Sequence, residues 1–405
     1  MNPFNHSKRD NVPADTVQDR RGPSPRSALA GMQPYVPGRS ISDIKAEYGL
    51  ERVVKLASNE NPLGPSPLAM QAVRGLLSDM HRYPDDRAGQ LRSKLAAKLS
   101  LPASGIIVAN GADELITLIC EAYLEPGDRI VTYAPTFSEY AFGGRLMNAD
   151  TIAVPLVDSF ALRAEDLLSE ADARTKLVFV CSPNNPTGTY MPKTELEHLR
   201  SRLPDGCLLV LDAAYSHFAD AADYTDGFEL LRSGARLVVL QTFSKAYGLA
   251  GIRAGFAAGP ADVIAHLLAV KEPFNVNALA QAAAAAALDD EAHLEATLRT
   301  NAEGRIRLRN GLGSLGIRSV PSQSNFVLAN FADGAAHVYG ELLRRGIIVR
   351  SGAGWGLPDC LRISVGTAEE IDLLLASLSD ILQVAPVTPC ESDARRQADP
   401  SKRQV

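Results

Sequence analysis

The stretch that decides the fold runs from an apolar segment into a polar loop: Leu237-Val238-Val239-Leu240-Gln241-Thr242-Phe243-Ser244-Lys245-Ala246-Tyr247-Gly248-Leu249-Ala250-Gly251-Ile252-Arg253. Its first four residues are all apolar, which is typical of a strand buried inside a parallel sheet. The hydroxyl residues Thr242 and Ser244 follow at the carboxyl end of that strand, and Lys245 and Arg253 come after them. Open α/β sheets bind their ligands at this end of their strands. The stretch therefore predicts a buried parallel strand that carries a candidate site at its end.

The residue types in this loop indicate a particular kind of ligand. A desolvated lysine can lose its proton and form a Schiff base with a carbonyl group. The hydroxyls and Arg253 suit an anion held close by, most simply a phosphate. A lysine next to a phosphate site indicates pyridoxal phosphate, while an ordinary surface loop with a solvated lysine remains the alternative for this stretch taken alone.

Strand and helix patterns alternate across the middle of the chain. The predicted strands lie at 106–109, 129–133, 151–154, 176–181, 207–211, 237–240 and 254–259. Such regular alternation predicts an α/β fold with a large, doubly wound and mostly parallel sheet. The first of these strands leads through Gly111 into a helix, and a helix start of this kind favours an anion, although many have no ligand.

The rest of the chain predicts a smaller α+β domain and two tails. Helices predicted at 291–315 and 369–382 flank strands at 324–329, 346–350 and 361–365. Both chain ends are polar, which predicts disorder. The predicted organisation is a disordered tail at 1–27, the first part of the small domain at 28–58, the large domain at 59–288, the rest of the small domain at 289–384 and a disordered tail at 385–405.

Composition argues against several classes of function. The net charge of -6 gives no reason to expect nucleic acid or an anionic membrane as a partner. No stretch approaches the roughly 20 apolar residues that span a bilayer, and residues 1–27 lack the apolar segment of a secretory signal. The five cysteines form no CxxC pair, so we expect no metal site, no disulfide framework and a cytoplasmic location.

Three successive strands of the predicted sheet end in polar residues that fit pyridoxal phosphate as a set: Asn185, Asp212 and Lys245. An aspartate beside the ring nitrogen stabilises the protonated pyridinium, which makes the ring a better electron sink. Asn185 and Tyr215 are predicted to hydrogen-bond the phenolic oxygen of the ring, and Phe137 to stack on its face. The residues predicted to hold the phosphate are Gly111, Ala112, Asp113, Thr242, Ser244 and Arg253.

Short motifs occur in a fixed order along the chain: Asn-Pro-Thr-Gly at 185–188, Asp-x-x-Tyr at 212–215 and Thr-x-Ser-Lys at 242–245, with Arg253 following. Together they resemble the fold-type I aminotransferases. Further pieces narrow the resemblance to the histidinol-phosphate aminotransferase family over about residues 29–384. These pieces are Tyr35-Val36-Pro37-Gly38, Lys55-Leu56-Ala57-Ser58-Asn59-Glu60-Asn61-Pro62, Arg82-Tyr83-Pro84-Asp85, Ser244-Lys245-Ala246-Tyr247-Gly248-Leu249-Ala250-Gly251, Pro273-Phe274-Asn275-Val276-Asn277 and Leu361-Arg362-Ile363-Ser364-Val365-Gly366-Thr367.

The resemblance implies roles for several further residues. It implies a homodimer in which Tyr83 reaches the cofactor phosphate of the neighbouring subunit. It makes Arg362 the residue that grips the anionic group of the substrate, since a guanidinium fork accepts a phosphate or a carboxylate. One departure from the family is Ala213, where a glutamate is usual. The other implied substrate contacts are Tyr35, Asn59 and Arg350, and the implied catalytic residues are Lys245, Asp212 and Tyr215.

The activity that the resemblance implies is ping-pong transamination in histidine biosynthesis, between histidinol phosphate or imidazole acetol phosphate and the couple of glutamate and 2-oxoglutarate. Lys245 would move a proton at the substrate α-carbon. Three alternatives remain open: an aromatic amino-acid aminotransferase, a decarboxylase of a phosphorylated amino acid on the same fold, and a cofactor-sensing regulator. The regulator would need a DNA-binding module, for which residues 1–27 are too short.

Overall fold

A central sheet with helices on both faces organises the computed structural model, which describes residues 23–32 and 38–384. The strands in chain order are β1 (Val54–Lys55), β2 (Ile106–Ala109), β3 (Arg129–Ala134), β4 (Asp150–Pro155), β5 (Thr175–Cys181), β6 (Leu208–Asp212), β7 (Val238–Thr242), β8 (Gly255–Ala258), β9 (Arg318–Ser319), β10 (Phe326–Asn330), β11 (Ile347–Ile348), β12 (Arg350–Ser351) and β13 (Cys360–Ser364). The α-helices are α1 (Ile41–Tyr48), α2 (Pro67–Gly75), α3 (Gly89–Leu99), α4 (Ala112–Tyr123), α5 (Glu139–Leu146), α6 (Ala164–Leu168), α7 (Lys193–Arg202), α8 (Phe228–Arg232), α9 (Ala261–Val270), α10 (Ala278–Ala287), α11 (Glu291–Ser314), α12 (Ala335–Arg344) and α13 (Ala368–Val384). Short 3-10 helices lie at Ser27–Leu29, Leu77–Asp79, Ala103–Gly105, Ser216–Phe218, Ala332–Gly334 and Gly352–Trp355.

The central sheet has the strand order β2-β8-β7-β6-β5-β3-β4. From β7 to β4 neighbouring strands pair in parallel, whereas β8 is antiparallel to both of its neighbours. Side chains alternate between the faces: Val178 and Val180 of β5 join one apolar cluster, and Leu177 and Phe179 join the other. Both faces are therefore buried, and the predicted doubly wound, mostly parallel α/β fold is confirmed.

The strand order determines where the polar loops meet. Because β5, β6 and β7 are parallel neighbours, Asn185, Asp212 and Lys245 lie at or just beyond their carboxyl ends along one edge of the sheet. Strand β8 runs the other way, so its first residue pairs with the last residues of β7 and β2. Arg253, which precedes β8, therefore reaches the same edge of the sheet.

A smaller α+β unit is built on its own sheet. Strands β12, β13, β10 and β9 form an antiparallel sheet in that order, and a short parallel pair joins β1 to β11. Helices α11, α12 and α13 contribute Leu308, Leu342 and Leu374 to a core that includes Val327 and Ile363 of the sheet. The smaller α+β part of the predicted fold is thereby confirmed. We call this part the smaller unit, and the central sheet with its helices the larger unit.

The residue bounds of the predicted domains stay a prediction. Residues 1–22, 33–37 and 385–405 lie outside the described residues, and with them most of the two predicted tails. Within the described part, the Arg26 guanidinium donates to the backbone oxygen of Leu146 at 2.7 Å, immediately before the 3-10 turn Ser27–Leu29. Across 23–32 and 38–384, no helix combines the length and the apolar character that crossing a membrane requires.

Helix α11 ties the two units together through a buried arginine. Nη2 of Arg305 donates to Oδ2 of Asp220 at 2.6 Å, and Nη1 donates to the backbone oxygen of Phe218 at 3.1 Å. A buried guanidinium is tolerated only with such partners. Leu308, one turn later on the same helix, packs in the core of the smaller unit. The helix therefore holds the smaller unit against the segment that follows Tyr215.

Gly248 brings the loop after Lys245 against the loop before α2. Its φ of +68° lies in the left-handed region, and a Cβ there would lie 2.8 Å from the carbonyl carbon of Gly64. We expect Gly248→Ala to lower the free energy of unfolding by about 3 kcal/mol, because backbone strain adds to a backbone clash. Urea denaturation measures this loss. Gly206→Ala is the matched control, since its φ is +81° with no atom within 4 Å; equal losses in the two variants would contradict the close approach.

Candidate active site

A cavity of about 310 Å³ opens at the edge of the central sheet where the polar loops meet. Both units contribute to it, since the strand ends of the larger unit face β12 and β13 of the smaller unit. The structure brings most of the predicted site residues together here. Those that line the cavity are Asn59, Ala112, Asp113, Phe137, Asn185, Asp212, Tyr215, Thr242, Ser244, Lys245, Arg253, Arg350 and Arg362.

Lys245 lies in this cavity just after the end of β7. Its Nζ donates to the backbone oxygen of Ser58 at 3.2 Å and lies 5.7 Å from the ring centroid of Tyr215. Burial of the side chain, with a smaller repulsion from Arg362, lowers the pKa of Lys245 from 10.5 to about 8. At pH 7 about a tenth of such lysines are uncharged, against well under one in a thousand for an ordinary lysine. The amine is therefore available as a nucleophile or a base near neutral pH.

Asp212 is a buried carboxylate with two fixed hydrogen bonds. Its Oδ2 accepts from the hydroxyl of Tyr140 at 2.6 Å, and its Oδ1 accepts from the backbone N–H of Ala214 at 3.1 Å. Burial raises the pKa of Asp212, while the hydrogen bond from Tyr140 opposes the rise because it favours the charged form. A carboxylate held in this way can stabilise a positive charge on a group bound in the cavity.

Arg362 of β13 carries positive charge into the cavity from the smaller unit. Its Nη1 donates to Oδ1 of Asn185, and its Nη2 donates to the backbone oxygen of Ala57 at 2.6 Å. Its guanidinium lies 5.2 Å from the ring centroid of Phe326 and 5.0 Å from that of Trp355. Because the side chain is nearly buried and held on several sides, it can receive an anion without first being ordered.

Tyr215 and Asn59 form a second polar connection between the units. The ring of Tyr215 packs edge-on against Phe326, and its hydroxyl accepts from Nδ2 of Asn59 at 3.1 Å. Asn59 is anchored in turn by Ser364, which accepts from the Asn59 backbone N–H at 2.9 Å and donates to its Oδ1 at 2.8 Å. A tyrosine hydroxyl that accepts one bond can still donate its own proton to a ligand.

Arg253 and the start of α4 form an anion-binding arrangement. Nη1 of Arg253 donates to Oγ of Ser244 at 3.2 Å, and Nη2 of Arg253 donates to Oδ2 of Asp113 at 3.2 Å. A Cβ on Gly111, whose φ is +95°, would lie 2.9 Å from Cζ of Arg253, so glycine is required for this approach. Helix α4 begins directly after Gly111, and its first N–H groups point out of the helix end. Guanidinium, hydroxyl and helix start therefore converge as a phosphate site would require.

Two further predicted contacts also lie in the cavity. Phe137 packs edge-on against Tyr140 with 5.9 Å between ring centroids. Arg350 lies over the ring of Trp355, with its Cζ 5.8 Å from the centroid.

Ala213, which stands where the family usually has glutamate, is fully buried next to Asp212 in the apolar core.

Two of the predicted site residues that the structure describes, Tyr83 and Gly111, do not line the cavity. Tyr83 is 84% exposed and stacks on Phe274 with 4.8 Å between ring centroids. Gly111 lies behind the cavity wall, where it makes room for Arg253. Tyr35 lies outside the described residues.

Sequence reasoning missed two side chains at this site. No motif includes Tyr140, yet its ring is fully buried and its hydroxyl bonds to Asp212. No motif includes Trp355, yet its ring contacts Arg350 and Arg362. The available signal was weak: tyrosine hydroxyls need partners when buried, and Trp355 is the only tryptophan of the chain. Neither fact identifies the residues that Tyr140 and Trp355 contact.

The family follows from comparison with known proteins. A family model described as Aminotransferase class I and II matches residues 51–378. The chain belongs to this family. The histidinol-phosphate aminotransferase of Moorella thermoacetica is 41% identical over 376 residues, which cover 93% of this chain and 96% of that protein. That of Symbiobacterium thermophilum is 43% identical over 363 residues, which cover 88% of this chain and 99% of that protein.

A solved structure shares the fold of this aminotransferase-family chain. It is the histidinol-phosphate aminotransferase from Sinorhizobium meliloti in complex with pyridoxal-5'-phosphate, with a TM-score of 0.81 and 26% identity. The match covers 90% of this chain and 99% of that chain. The resemblance drawn from the sequence motifs is therefore confirmed, as is the fold-type I architecture.

The residues of the cavity fit pyridoxal phosphate. Its phosphate needs an anion site, which Arg253, Ser244 and the start of α4 provide. Its ring nitrogen needs a carboxylate, which Asp212 provides, and its aldehyde needs an amine of low pKa, which Lys245 provides. A cavity of about 310 Å³ is in the size range of small-molecule sites.

We expect Tyr140→Phe to change the pH dependence of activity. Without the hydroxyl, Asp212 loses a hydrogen bond that favours its charged form, so its pKa rises further. The carboxylate is then protonated at higher pH, and the acid limb of the kcat/KM profile moves up by about one pH unit. Tyr133→Phe is the matched control, since this buried hydroxyl donates to the backbone oxygen of Arg163 instead. An unmoved acid limb in Tyr140→Phe would show that the bond does not tune Asp212.

Proposed function

We propose that the chain catalyses pyridoxal-phosphate-dependent transamination between histidinol phosphate and 2-oxoglutarate, as a step of histidine biosynthesis. The proposal is carried by one cavity that combines a lysine of lowered pKa with two arginines from the smaller unit. The two relatives described above bear the name histidinol-phosphate aminotransferase and match almost over their full length, which supports the same reaction.

The cofactor would be held at three points. Arg253, Ser244 and the start of α4 would bind its phosphate, Asp212 its ring nitrogen and Lys245 its aldehyde carbon. When bound, the group supplies a ring that accepts the electrons left on the substrate α-carbon. Asp212 supports this chemistry because a fixed carboxylate stabilises a positive ring nitrogen. Asn185 would donate toward the phenolic oxygen, as would the hydroxyl of Tyr215.

Lys245 would then move the proton. In its uncharged form it takes the proton from the substrate α-carbon and gives it up again as the amino group is transferred. A pKa of about 8 suits this role, because base and acid forms are both populated near neutral pH. The backbone oxygen of Ser58, 3.2 Å from Nζ, keeps the freed amine in the cavity.

The arginines would bind the anionic end of both substrates. Histidinol phosphate has a phosphooxymethyl group where glutamate has its α-carboxylate, and a guanidinium fork accepts either anion. Arg362 is already oriented by Asn185 and the Ala57 backbone. Arg350 adds the charge that favours the more highly charged phosphate. Asn59 and Tyr35 are the other proposed substrate contacts.

A homodimer with shared sites is part of the proposal. Tyr83 is 84% exposed and Phe274, which stacks on it, is 43% exposed. Exposed aromatic pairs are typical of protein interfaces. We place Tyr83 at the cofactor phosphate of the neighbouring subunit, in a dimer that works in the cytoplasm.

A single half-reaction tests the proposed activity directly. The purified, cofactor-loaded protein is mixed with histidinol phosphate or with phenylalanine, and conversion of the cofactor to its amine form is followed by absorbance. We expect much faster conversion with histidinol phosphate. Faster conversion with phenylalanine would move the chain to aromatic amino-acid transamination, and release of carbon dioxide would favour a decarboxylase.

The half-reaction has matched lysine controls. Lys245→Ala should abolish multiple turnover, since the variant lacks the amine that moves the proton. Lys193→Ala removes a lysine that pairs with Glu229 on the surface, and should behave as the parent protein. Retained turnover in Lys245→Ala would overturn the proposed mechanism.

Mixing two inactive variants tests the shared site. In a mixed dimer of Tyr83→Ala and Lys245→Ala subunits, one site has both native residues and the other has neither. Random exchange of subunits should therefore restore about a quarter of the parent activity. Activity no greater than the sum of the separate variants would place Tyr83 outside the partner's site.

A further inference from the structure

The two arginines that the smaller unit contributes to the cavity lie opposite each other on adjacent strands. Arg350 of β12 and Arg362 of β13 are direct partners in the antiparallel register. Side chains of directly opposed residues point to the same face of a sheet, and like charges in such a pair are destabilising. Two guanidinium groups therefore extend from one face of the sheet at the cavity, as expected where an anion is to bind between them.

Trp355 contacts both members of this pair. Its ring centroid lies 5.0 Å from Cζ of Arg362 and 5.8 Å from Cζ of Arg350. The negative face of an aromatic ring attracts guanidinium groups, so one indole partly offsets the repulsion between two of them. Phe326 contacts only Arg362 of the two and is fully buried, whereas Trp355 is half-buried and lines the cavity. Among the described residues, Trp355 is thus the ring that lies near both arginines.

The backbone around Trp355 holds the ring in place. Trp355 ends the 3-10 turn Gly352–Trp355, which lies in the connection between β12 and β13. Ser351 caps the start of the turn, since its hydroxyl accepts from the backbone N–H of Ala353 at 3.3 Å. It is packed tightly, since a Cβ on Gly352 would lie 2.8 Å from the backbone oxygen of Cys360. The same short segment therefore carries both arginines and the ring that contacts them.

We propose that Trp355 is a positioning residue that fixes Arg350 and Arg362 as one site for dianionic phosphate monoesters, and so determines specificity for them over carboxylates. A carboxylate engages one guanidinium fork, whereas a phosphate dianion has the charge and the oxygens to engage two. Loss of the ring therefore weakens phosphate binding more than carboxylate binding. The inference rests on the proposed function in that it takes histidinol phosphate as the substrate.

The first test compares KM and kcat for histidinol phosphate and glutamate in ring variants. Trp355→Leu should raise KM for histidinol phosphate about tenfold and KM for glutamate less than threefold, with kcat little changed. Trp355→Phe keeps an aromatic face and should recover most of the loss. Tyr123→Leu is the control, since this half-buried ring packs on His266 at another cavity. Equal changes in KM for the two substrates would overturn the proposed selectivity.

A second test does not depend on turnover. Trp355 is the only tryptophan of the chain, so its emission in the cofactor-loaded protein reports on this site alone. With the cofactor phosphate already bound, added inorganic phosphate should change the emission saturably, at a concentration at least tenfold lower than acetate requires. Trp355→Phe contains no tryptophan, so it gives the background emission to be subtracted. Equal affinities for phosphate and acetate would overturn the inference.

The two tests separate failure of the inference from failure of the proposed function. If the parent protein does not convert histidinol phosphate but its emission still selects phosphate over acetate, the proposed function fails and the site for phosphate monoesters stands. If histidinol phosphate is converted and Trp355→Leu keeps the parent KM values, the proposed function stands and the role of Trp355 is wrong. A thermal melt of each variant verifies that the fold is retained.

Discussion

The cavity depends on keeping four positive side chains close together: Lys245, Arg253, Arg350 and Arg362. Repulsion between like charges grows as water is excluded. Each of the four side chains must therefore either bond to acceptor groups or lose its proton. Arg253 bonds to a carboxylate and a hydroxyl, and Arg362 bonds to an amide oxygen and a backbone carbonyl. The pKa of Lys245 is lowered, chiefly by burial of the side chain and to a smaller extent by repulsion from Arg362. The exclusion of water that makes the lysine reactive thus also strengthens the attraction of the arginines for an anionic cofactor and substrate.

The sequence predicted the parts of the site that follow from strand periodicity. Apolar runs at β5, β6 and β7 predict buried parallel strands, and the carboxyl ends of parallel strands meet at one edge. Asn185, Asp212 and Lys245 could therefore be placed together before any contact was known. Arg253 could be included because it follows Lys245 closely, and the motif match to a known family supplied Arg362 and Arg350 from the far end of the chain.

The remaining contacts could not be predicted because they depend on how distant segments pack. Tyr140 lies 72 residues from Asp212 in sequence, and no periodic pattern links a helix residue to one particular carboxylate. The contacts of Trp355 depend on the register of β12 with β13, since a shift by one residue would move an arginine to the other face. Tyr83 is a different case, because its proposed partner belongs to another copy of the chain.

Strand β8 is antiparallel to both of its neighbours, and this brings together two residues of the predicted phosphate site, Ser244 and Arg253, that are close in sequence. Ser244 and Arg253 are 9 residues apart, whereas Asp113 and Arg253 are 140 apart. Closing a short loop loses less chain entropy than closing a long one, and local contacts form sooner during folding. The hairpin of β7 and β8 can therefore position its arginine before α4 docks. Only the contribution of α4 to the anion site therefore requires a long loop to close, while the serine and the arginine come from one hairpin.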